Sequence, residues 1–282
     1  MIKNASLFRA IPQNNEYFKR SNKKIRINNP KNDKPLKMFL VIIFILSAIS
    51  ILLLGIDWLK LGSRFLNLLH VFTELSKFDF TNFNFTAVSF LESASAAVLA
   101  TLYSIVLGLV MAFFTARNIT PFKPLSVILS AYNSFVRAVP TTVWVLLILA
   151  CIGFGPAPGI IGLSFHATAF FSRTFTQAFE ETPRETIEAL ESCGAGRLQI
   201  FFCGVLPSSF TSLVAWSALR FEINFSESAI LGMVGAGGIG YSIEANMASY
   251  CFGQAGIAIL MVFIFAFSLE IMFTSLKRRL KV

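Results

Sequence analysis

Long uncharged apolar runs are the feature that most constrains how this chain can fold. The first extends from Met38 to Ile56 without a charged residue, which is long enough for a helix to cross a hydrocarbon core of about 30 Å. Of all residues, 55% are hydrophobic and 14% are charged, whereas soluble domains have about 25% charged residues. Because unpaired backbone groups are costly in lipid, these runs predict an all-α integral membrane protein.

The apolar runs predict a six-helix transmembrane bundle. The predicted spans are 38–56, 93–115, 125–152, 160–178, a fifth from Ser208 to a glycine-rich end at 232–240, and Gln254–Thr274. The connection at 57–90 has apolar residues at i, i+3, i+4 and i+7 spacing, namely Phe65, Leu68, Leu69, Phe72 and Leu75. It is therefore either an amphipathic helix at the outer interface or an extracytoplasmic loop packed on the bundle.

Basic residues are concentrated at the two ends of the chain, whose net charge is +9. Cytoplasmic flanks of membrane helices collect Lys and Arg, so both termini are predicted to be cytoplasmic. Residues 1–37 form a basic tail, expected to be disordered and to attract anionic lipid. Residues 277–282 form a basic C-terminus. Nucleic acid is not an expected partner of so short a tail.

A polar segment, residues 179–207, separates the fourth and fifth spans. A short helix is predicted to start near Thr182-Pro183, because proline is tolerated at the first helical position and acidic residues suit the first turn. Ala189 and Gly194 remove side-chain bulk, which predicts a helix–glycine–helix hairpin whose first helix can enter a partner's groove. A solvated loop without a partner is the alternative that spacing leaves open.

This segment resembles the cytoplasmic loop of ABC importer permeases, whose pattern reads E-A-A, three residues, G, nine residues, I-x-L-P. The matching residues are Glu188, Ala189, Gly194, Leu206 and Pro207. Leu190 replaces the second alanine of the pattern, and Gly204 replaces its isoleucine. The resemblance implies a coupling helix that docks on a separate ATPase. That partner would bind ATP and Mg²⁺, since the sequence has no G-x-x-x-x-G-K-[ST] motif.

Over residues 90–276 the chain is most similar to permeases of phosphonate-type ABC importers. Besides the loop, the resemblance is carried by Ala116-Arg117-Asn118, by Arg137-Ala138-Val139-Pro140 with Gly153-Phe154-Gly155-Pro156, and by Glu222-Ile223-Asn224 leading to the segment 231–240. The family is expected to have arginine at the position of Ser226. The substrate therefore stays open between phosphonates or related phosphorus oxyanions and another small solute, such as methionine or phosphate.

The resemblance implies a type I ABC importer permease fold, with a core at 91–276 following the anchor at 38–56, in the bacterial inner membrane. Implied partners are a cytoplasmic ABC ATPase dimer, an extracytoplasmic solute-binding protein, and a second permease that is either identical or related. No catalytic or metal site is expected, because the sequence has only two histidines and no nucleophile constellation. The lack of such a constellation argues against a membrane enzyme, and the coupling loop argues against a secondary transporter.

Three polar residues lie inside the fifth span: Arg220, Glu222 and Asn224. They are about 12–16 residues into the helix, or about 18–24 Å. Such groups normally face a bundle interior or an aqueous path. We interpret Glu222 and Asn224 as lining or bracing a translocation pathway, with Arg220 neutralising Glu222. A purely structural Arg–Glu pair is the alternative.

Arg137 has two possible settings. If the third span starts at Leu125, Arg137 is in mid-membrane and attracts an oxyanion. If about residues 122–136 form an interfacial helix, the span starts near Ala138 and Arg137 snorkels to the inner face. The length from Ala138 to Gly155 favours the second setting.

A glycine-rich segment ends the fifth span. Its glycines are Gly232, Gly235, Gly237, Gly238 and Gly240. They predict a non-helical turn and close backbone packing near the outer end of the helix. A dinucleotide site is not favoured, because the segment follows a membrane span rather than a strand.

Overall fold

The computed structural model describes residues 33–55 and 57–280, in which all regular structure is helical. Most of the predicted basic tail, residues 1–32, lies outside the described residues, as do Ile56 and residues 281–282. Residues 33–37, assigned to the tail from the sequence, are helical because the first helix begins at Asp33. The chain divides into two units, one up to Phe65 and one from Leu66 onward.

The first unit contains α1 (Asp33–Leu53) and the beginning of α2 (Trp58–Leu75). α1 has a mean hydropathy of 2.8 and none of its span is buried, as a lipid-facing anchor requires. On α2, Leu61 and Phe65 are exposed near the exposed Lys60. Trp58–Leu75 is therefore helical, and the position of this connection at the outer interface stays a prediction.

The second unit is built from helices that follow one another with short connections. Its helices are α3 (Phe83–Thr115), α4 (Lys123–Ala138), α5 (Thr141–Ile152), α6 (Pro156–Glu180), α7 (Arg184–Ser192), α8 (Arg197–Ile200), α9 (Leu206–Leu231), α10 (Gly238–Ala248) and α11 (Phe252–Leu280). Two π-helical segments, Phe201–Val205 and Gly232–Ala236, flank α9.

α6 is the central helix of the second unit, because it packs against α3, α4, α5 and α9. Glycines allow these helices to approach closely. A Cβ atom on Gly108 of α3 would overlap Phe171, and one on Gly162 of α6 would lie 2.9 Å from the Cα atom of Val145. Small residues at such contacts are typical of membrane helix bundles.

α6 also explains how the helices relate to the six predicted spans. Within the described residues, four helices are long and apolar enough to cross a membrane, or five if α4 and α5 form one bent span. α6 is not among them, although its 25 residues extend about 37 Å. Its polar groups bond inside the bundle: Thr168 donates to the Ser164 carbonyl (2.7 Å), as does Ser104 of α3 (3.0 Å). Neighbouring helices cover α6, so it needs less apolar surface.

Several helices begin before the predicted span boundaries. α3 begins at Phe83 rather than near residue 93. α6 begins at Pro156 rather than near residue 160, because proline fits the first helical turn, where its missing N–H costs no hydrogen bond. The connection between α5 and α6 is therefore only residues 153–155, with φ values of 97° at Gly153 and 137° at Gly155.

The fifth span is longer than predicted, since helix continues from Arg197 to Ala236 instead of starting at Ser208. Pro207 lies in the first turn of α9, directly after the π segment Phe201–Val205. A wider π turn relieves the clash and the missing hydrogen bond that proline causes within an α-helix. The polar segment 179–207 is therefore mostly helical.

α4 and α5 meet at a sharp elbow, with an angle of 89° between them. Pro140 restricts the preceding residue, and Val139 is extended, with φ −93° and ψ 128°. Arg137 consequently lies in the last turn of α4, just before the elbow. This backbone matches the second setting for Arg137, in which a separate helix precedes the span.

Candidate functional site

α7 is a short amphipathic helix attached to the bundle by one face. Ile187 is 8% exposed and joins a core of Phe175, Phe179 and Phe201, with Leu190 packed against the same cluster. The Phe179 and Phe201 rings meet edge to face at 5.3 Å. The opposite face carries side chains that are all exposed: Glu185, Ala189 and Ser192. The residues that anchor the helix are thus separate from those that remain available for a partner.

Gly194 ends α7 in the left-handed conformation, with φ 79°. Two hydrogen bonds close the turn, from the Gly194 N–H to the Glu191 carbonyl (2.9 Å) and from the Ala195 N–H to the Leu190 carbonyl (3.1 Å). Glycine is favoured at this position because a Cβ atom disfavours positive φ. The predicted hairpin is present, with α7 and α8 on the two sides of Gly194.

The turn between α3 and α4 binds the end of α6 before this hairpin and the α8 side of the hairpin. The Arg117 backbone N–H donates to Glu180 Oε1 at 2.9 Å, and Asn118 Nδ2 donates to the Phe179 carbonyl at 2.8 Å. On the other side, Arg197 Nη1 donates to the Thr120 carbonyl at 2.8 Å. These bonds connect the α3–α4 turn to the end of α6, which precedes α7, and to α8, which follows it.

Leu190 and Gly204, the two residues that depart from the loop pattern, contact each other. Gly204 is buried, and a Cβ atom built on it would lie 2.7 Å from Leu190 Cδ1 and 3.6 Å from Thr186 Cγ2. A larger residue at position 190 thus occupies the space left by a smaller one at position 204. The exchange keeps α7 packed on the π segment.

We expect this size exchange to appear in a double-mutant cycle. Gly204→Ile alone should displace Leu190 and lower the free energy of unfolding by about 1–3 kcal/mol. Leu190→Ala alone should lower it by about 1–2 kcal/mol, since Leu190 is only partly buried. The double variant should be more stable, by at least about 1 kcal/mol, than the sum of the two single losses predicts. Thermal unfolding of the purified protein measures each value, and strict additivity would contradict the proposed contact.

Arg220 is paired with Glu227, which corrects the expectation that it neutralises Glu222. Its guanidinium is 4% exposed and donates from Nη2 to Glu227 Oε2 at 3.1 Å. Residues two apart on a helix point in different directions, whereas residues seven apart share a face. Nη2 also lies 3.3 Å from His166 Nδ1, and the guanidinium carbon lies 5.4 Å from the centre of the Phe170 ring.

Glu222 and Asn224 have different surroundings. Asn224 is fully buried, and its Nδ2 donates to Thr101 Oγ1 at 2.8 Å, so it connects α9 to α3. Glu222 is half-buried, and Ser226 one turn later is exposed. Glu222 has no ion-pair partner within the described part of the chain. The geometry therefore gives Asn224 a bracing position and leaves Glu222 at the surface of this chain.

The glycine-rich segment forms the predicted non-helical turn. Gly235, Gly237 and Gly238 have φ values of 108°, 77° and 73°. The turn leads into α10, a helix that the sequence did not predict. Two α3 side chains bind its first N–H groups, Glu92 Oε2 accepting from Gly238 at 3.0 Å and Ser93 Oγ from Ile239 at 2.9 Å.

Four polar residues that make contacts or line cavities in the structure were not identified as site residues from the sequence: Glu92, His166, Arg173 and Glu227. His166, Arg173 and Glu180 recur every seven residues on α6, and so do Arg220 and Glu227 on α9. This spacing is the signal that could have identified them as faces of their helices. Glu92 has no such local signal. Within residues 33–55 and 57–280, no group of three or more His, Cys, Asp or Glu residues could hold a metal ion.

Comparison with known proteins identifies a family match over most of the second unit. A family model described as "binding-protein-dependent transport system inner membrane component" matches residues 104–282. The phosphate-import permease protein PhnE of Mycolicibacterium smegmatis is 32% identical over 186 residues, covering 66% of this chain and 35% of that protein. The phosphite transport system permease protein PtxC of Stutzerimonas stutzeri is 27% identical over 201 residues, covering 71% and 73%.

The fold is also similar to that of a solved transporter. A chain of the MetNI methionine ABC transporter in an inward-facing conformation superimposes with a TM-score of 0.61 at 21% sequence identity. The match covers 67% of this chain and 93% of that chain. At this identity the similarity establishes the fold alone.

Proposed function

Because the chain belongs to the family of inner-membrane components of binding-protein-dependent transport systems, we propose that it is the permease of an ATP-driven importer for phosphonates or related phosphorus oxyanions. It is a multi-pass membrane transport subunit and not an enzyme. The observation that carries the proposal is α7, whose inner face is fixed to the core while its outer face is free.

Coupling follows from how α7 is attached. Its hairpin is hydrogen-bonded to the α3–α4 turn and packed on the ends of α6 and α9. Protein interiors pack densely and transmit displacement. An ATPase that moves α7 therefore moves the membrane ends of these helices with it, which changes the opening of the bundle.

The proposal includes partners on both sides of the membrane. A cytoplasmic ATPase dimer binds ATP with Mg²⁺ and receives α7, and an extracytoplasmic binding protein delivers the substrate. A second permease, identical or related, completes the pathway, and both termini face the cytoplasm. The face of α9 that carries the half-buried Glu222 and the exposed Ser226 is available for that second permease or for the pathway.

Phosphorus oxyanions are the favoured substrates because relatives named for phosphate and phosphite import align with most of this chain. The chain spans about a third of the length of the first of these relatives and about three quarters of the second. Methionine, the alternative, is favoured less, because the probable D-methionine transport system permease protein MetI of Pasteurella multocida, although 31% identical, aligns with only 54% of this chain.

Transport by the reconstituted complex tests the proposal. The permease, its ATPase and its binding protein are placed in proteoliposomes, and uptake of methylphosphonate, phosphite, phosphate and methionine is measured with and without ATP. We expect ATP-dependent uptake of at least one phosphorus oxyanion and none of methionine. Uptake of methionine alone, or of no phosphorus oxyanion, would contradict the proposed substrate class.

A further inference from the structure

Polar faces of α4 and α6 meet on the side of the bundle that leads to the coupling hairpin. On α4, Ser130, Ser134 and Arg137 recur at i, i+4 and i+7, which places them on one helix face. On α6, Arg173 and Gln177 are exposed one turn apart. The two helices pack against each other, so their polar faces border the same space.

That space is a cavity of about 260 Å³, which we call the arginine cavity. It is lined by Arg117, Arg137 and Arg173, together with Ser130, Gln177 and Glu180. Arginine presents a fork of N–H donors that matches phosphate geometry and keeps its charge at every physiological pH. The hydroxyl and the amide add neutral hydrogen-bonding groups. The lining therefore has the composition of an oxyanion site.

The cationic groups of this cavity are not neutralised. Among the described residues, no carboxylate oxygen lies within 4.0 Å of the Arg137 or Arg173 guanidinium. Both arginines line the same cavity, so their like charges face one space. Glu180, the acid that lines the cavity, has one oxygen accepting from the Arg117 backbone N–H at 2.9 Å. Unpaired like charges beside a membrane are costly, and an anion between them removes the repulsion.

Further cationic and polar side chains lie deeper in the bundle. Arg220 Nη2 lies 3.3 Å from His166 Nδ1. A second cavity, of about 370 Å³, is lined by His166, Glu227 and Thr141. Arg220 is neutralised by Glu227, but Arg137 and Arg173 are not. An anion moving along α6 toward the cytoplasm therefore reaches its strongest cationic site at the arginine cavity.

Resting on the function proposed above, we infer that the arginine cavity is the site through which the transported oxyanion leaves the permease, held by Arg137 and Arg173. The binding is transient and non-covalent. Two guanidinium groups replace part of the anion's hydration while it passes the inner half of the bundle. Glu180 at the rim then repels the anion toward the cytoplasm.

Chemical protection tests occupancy on the wild-type permease–ATPase complex. Phenylglyoxal modifies accessible arginines, and mass spectrometry gives the modification rate of each one. Inorganic phosphate should slow modification of Arg137 and Arg173 at least threefold and leave Arg64, exposed on α2, unchanged. Equal rates with and without phosphate would overturn the inference. Protection by phosphatidylglycerol but not by phosphate would also overturn it, since the cavity would then be a lipid headgroup site.

Transport by variants tests the role of the site. In the reconstituted importer, Arg137→Gln and Arg173→Gln should each lower the maximal rate of phosphorus oxyanion uptake about tenfold, and the double variant about a hundredfold, because charged hydrogen bonds are lost. KM should change little, since the binding protein captures the substrate. Lysine at either position should restore most of the rate, and Arg64→Gln, the matched control, should be neutral.

The outcomes separate this inference from the proposed function. If the wild-type complex imports a phosphorus oxyanion and the double variant imports it equally fast, the site is wrong and the function stands. If the wild-type complex imports no phosphorus oxyanion, the proposed function fails, whereas the protection experiment still reports whether the cavity binds phosphate. A double variant that loses its ATPase partner would show a structural role for the arginines and would contradict the inference.

Discussion

Gly240→Ala is expected to destabilise the folded protein severely. Gly240 lies in the first turn of α10, against the end of α9, and a Cβ atom there would overlap the Ala229 carbonyl oxygen and lie 2.9 Å from Gly232 Cα. Both obstacles are backbone, so neither can rotate away. The cost should exceed about 3 kcal/mol, the upper end of ordinary overpacking, in a protein whose net stability is of the order of 5–15 kcal/mol.

Size-exclusion chromatography of the detergent-extracted protein and its thermal unfolding measure this effect. Gly62→Ala is the matched control, because Gly62 lies in α2 with no atom within 4 Å of the position of a Cβ atom. Alanine is favoured over glycine within helices by up to about 1 kcal/mol, so the control should be neutral or slightly stabilising. A Gly240→Ala protein that elutes and unfolds like the wild type would contradict the close packing described for this turn.

Ala189→Arg is expected to abolish ATP-driven uptake without disturbing the permease. Ala189 lies on the exposed face of α7, opposite the anchoring Ile187 and Leu190, so a large side chain there enters the partner's groove and not the core. A charge placed at the centre of an interface should lower uptake by at least roughly a hundredfold, equivalent to about 3 kcal/mol.

Co-purification of the ATPase with tagged permease measures docking directly, alongside uptake and thermal unfolding. The matched control is Ala248→Arg, the same change at an exposed position at the end of α10. α10 follows the C-terminal end of α9, whereas α7 precedes its N-terminal end. That variant should retain the ATPase. If Ala189→Arg also retained the ATPase and supported uptake, α7 would not be the coupling element.

The hairpin of α7 and α8 around Gly194 was predictable because its signals are local. Pro183, Gly194 and the acidic first turn determine where helices start and stop through contacts within a few residues, and the structure has α7 and the Gly194 turn where they were expected. The glycine-rich turn was predictable for the same reason. Positive φ at Gly235 and Gly237 is a property of individual residues.

The polar contacts of the bundle were not predictable, because their partners are distant along the chain. Glu92 binds the N-terminus of α10 across 146 positions, and Asn224 binds Thr101 across 123. The sequence-based prediction that Arg220 pairs with Glu222 was wrong because of helix geometry. Glu222 is nearer in sequence, but the helix directs it away from Arg220 and brings Glu227 onto the same face. The starts of α6 and of the fifth span were predicted wrongly, because Pro156 and Pro207 lie within first helical turns rather than between helices.

The contact between Leu190 and Gly204 bears on how such chains are recognised. A pattern that scores each position by itself penalises this loop twice, once for an oversized residue and once for an undersized one. Because the Leu190 side chain occupies the space beside Gly204 that a larger residue would fill, the two departures amount to one steric change. Relatives with the same pair of changes will match the motif poorly although they share the fold. Scoring the two positions jointly would identify them.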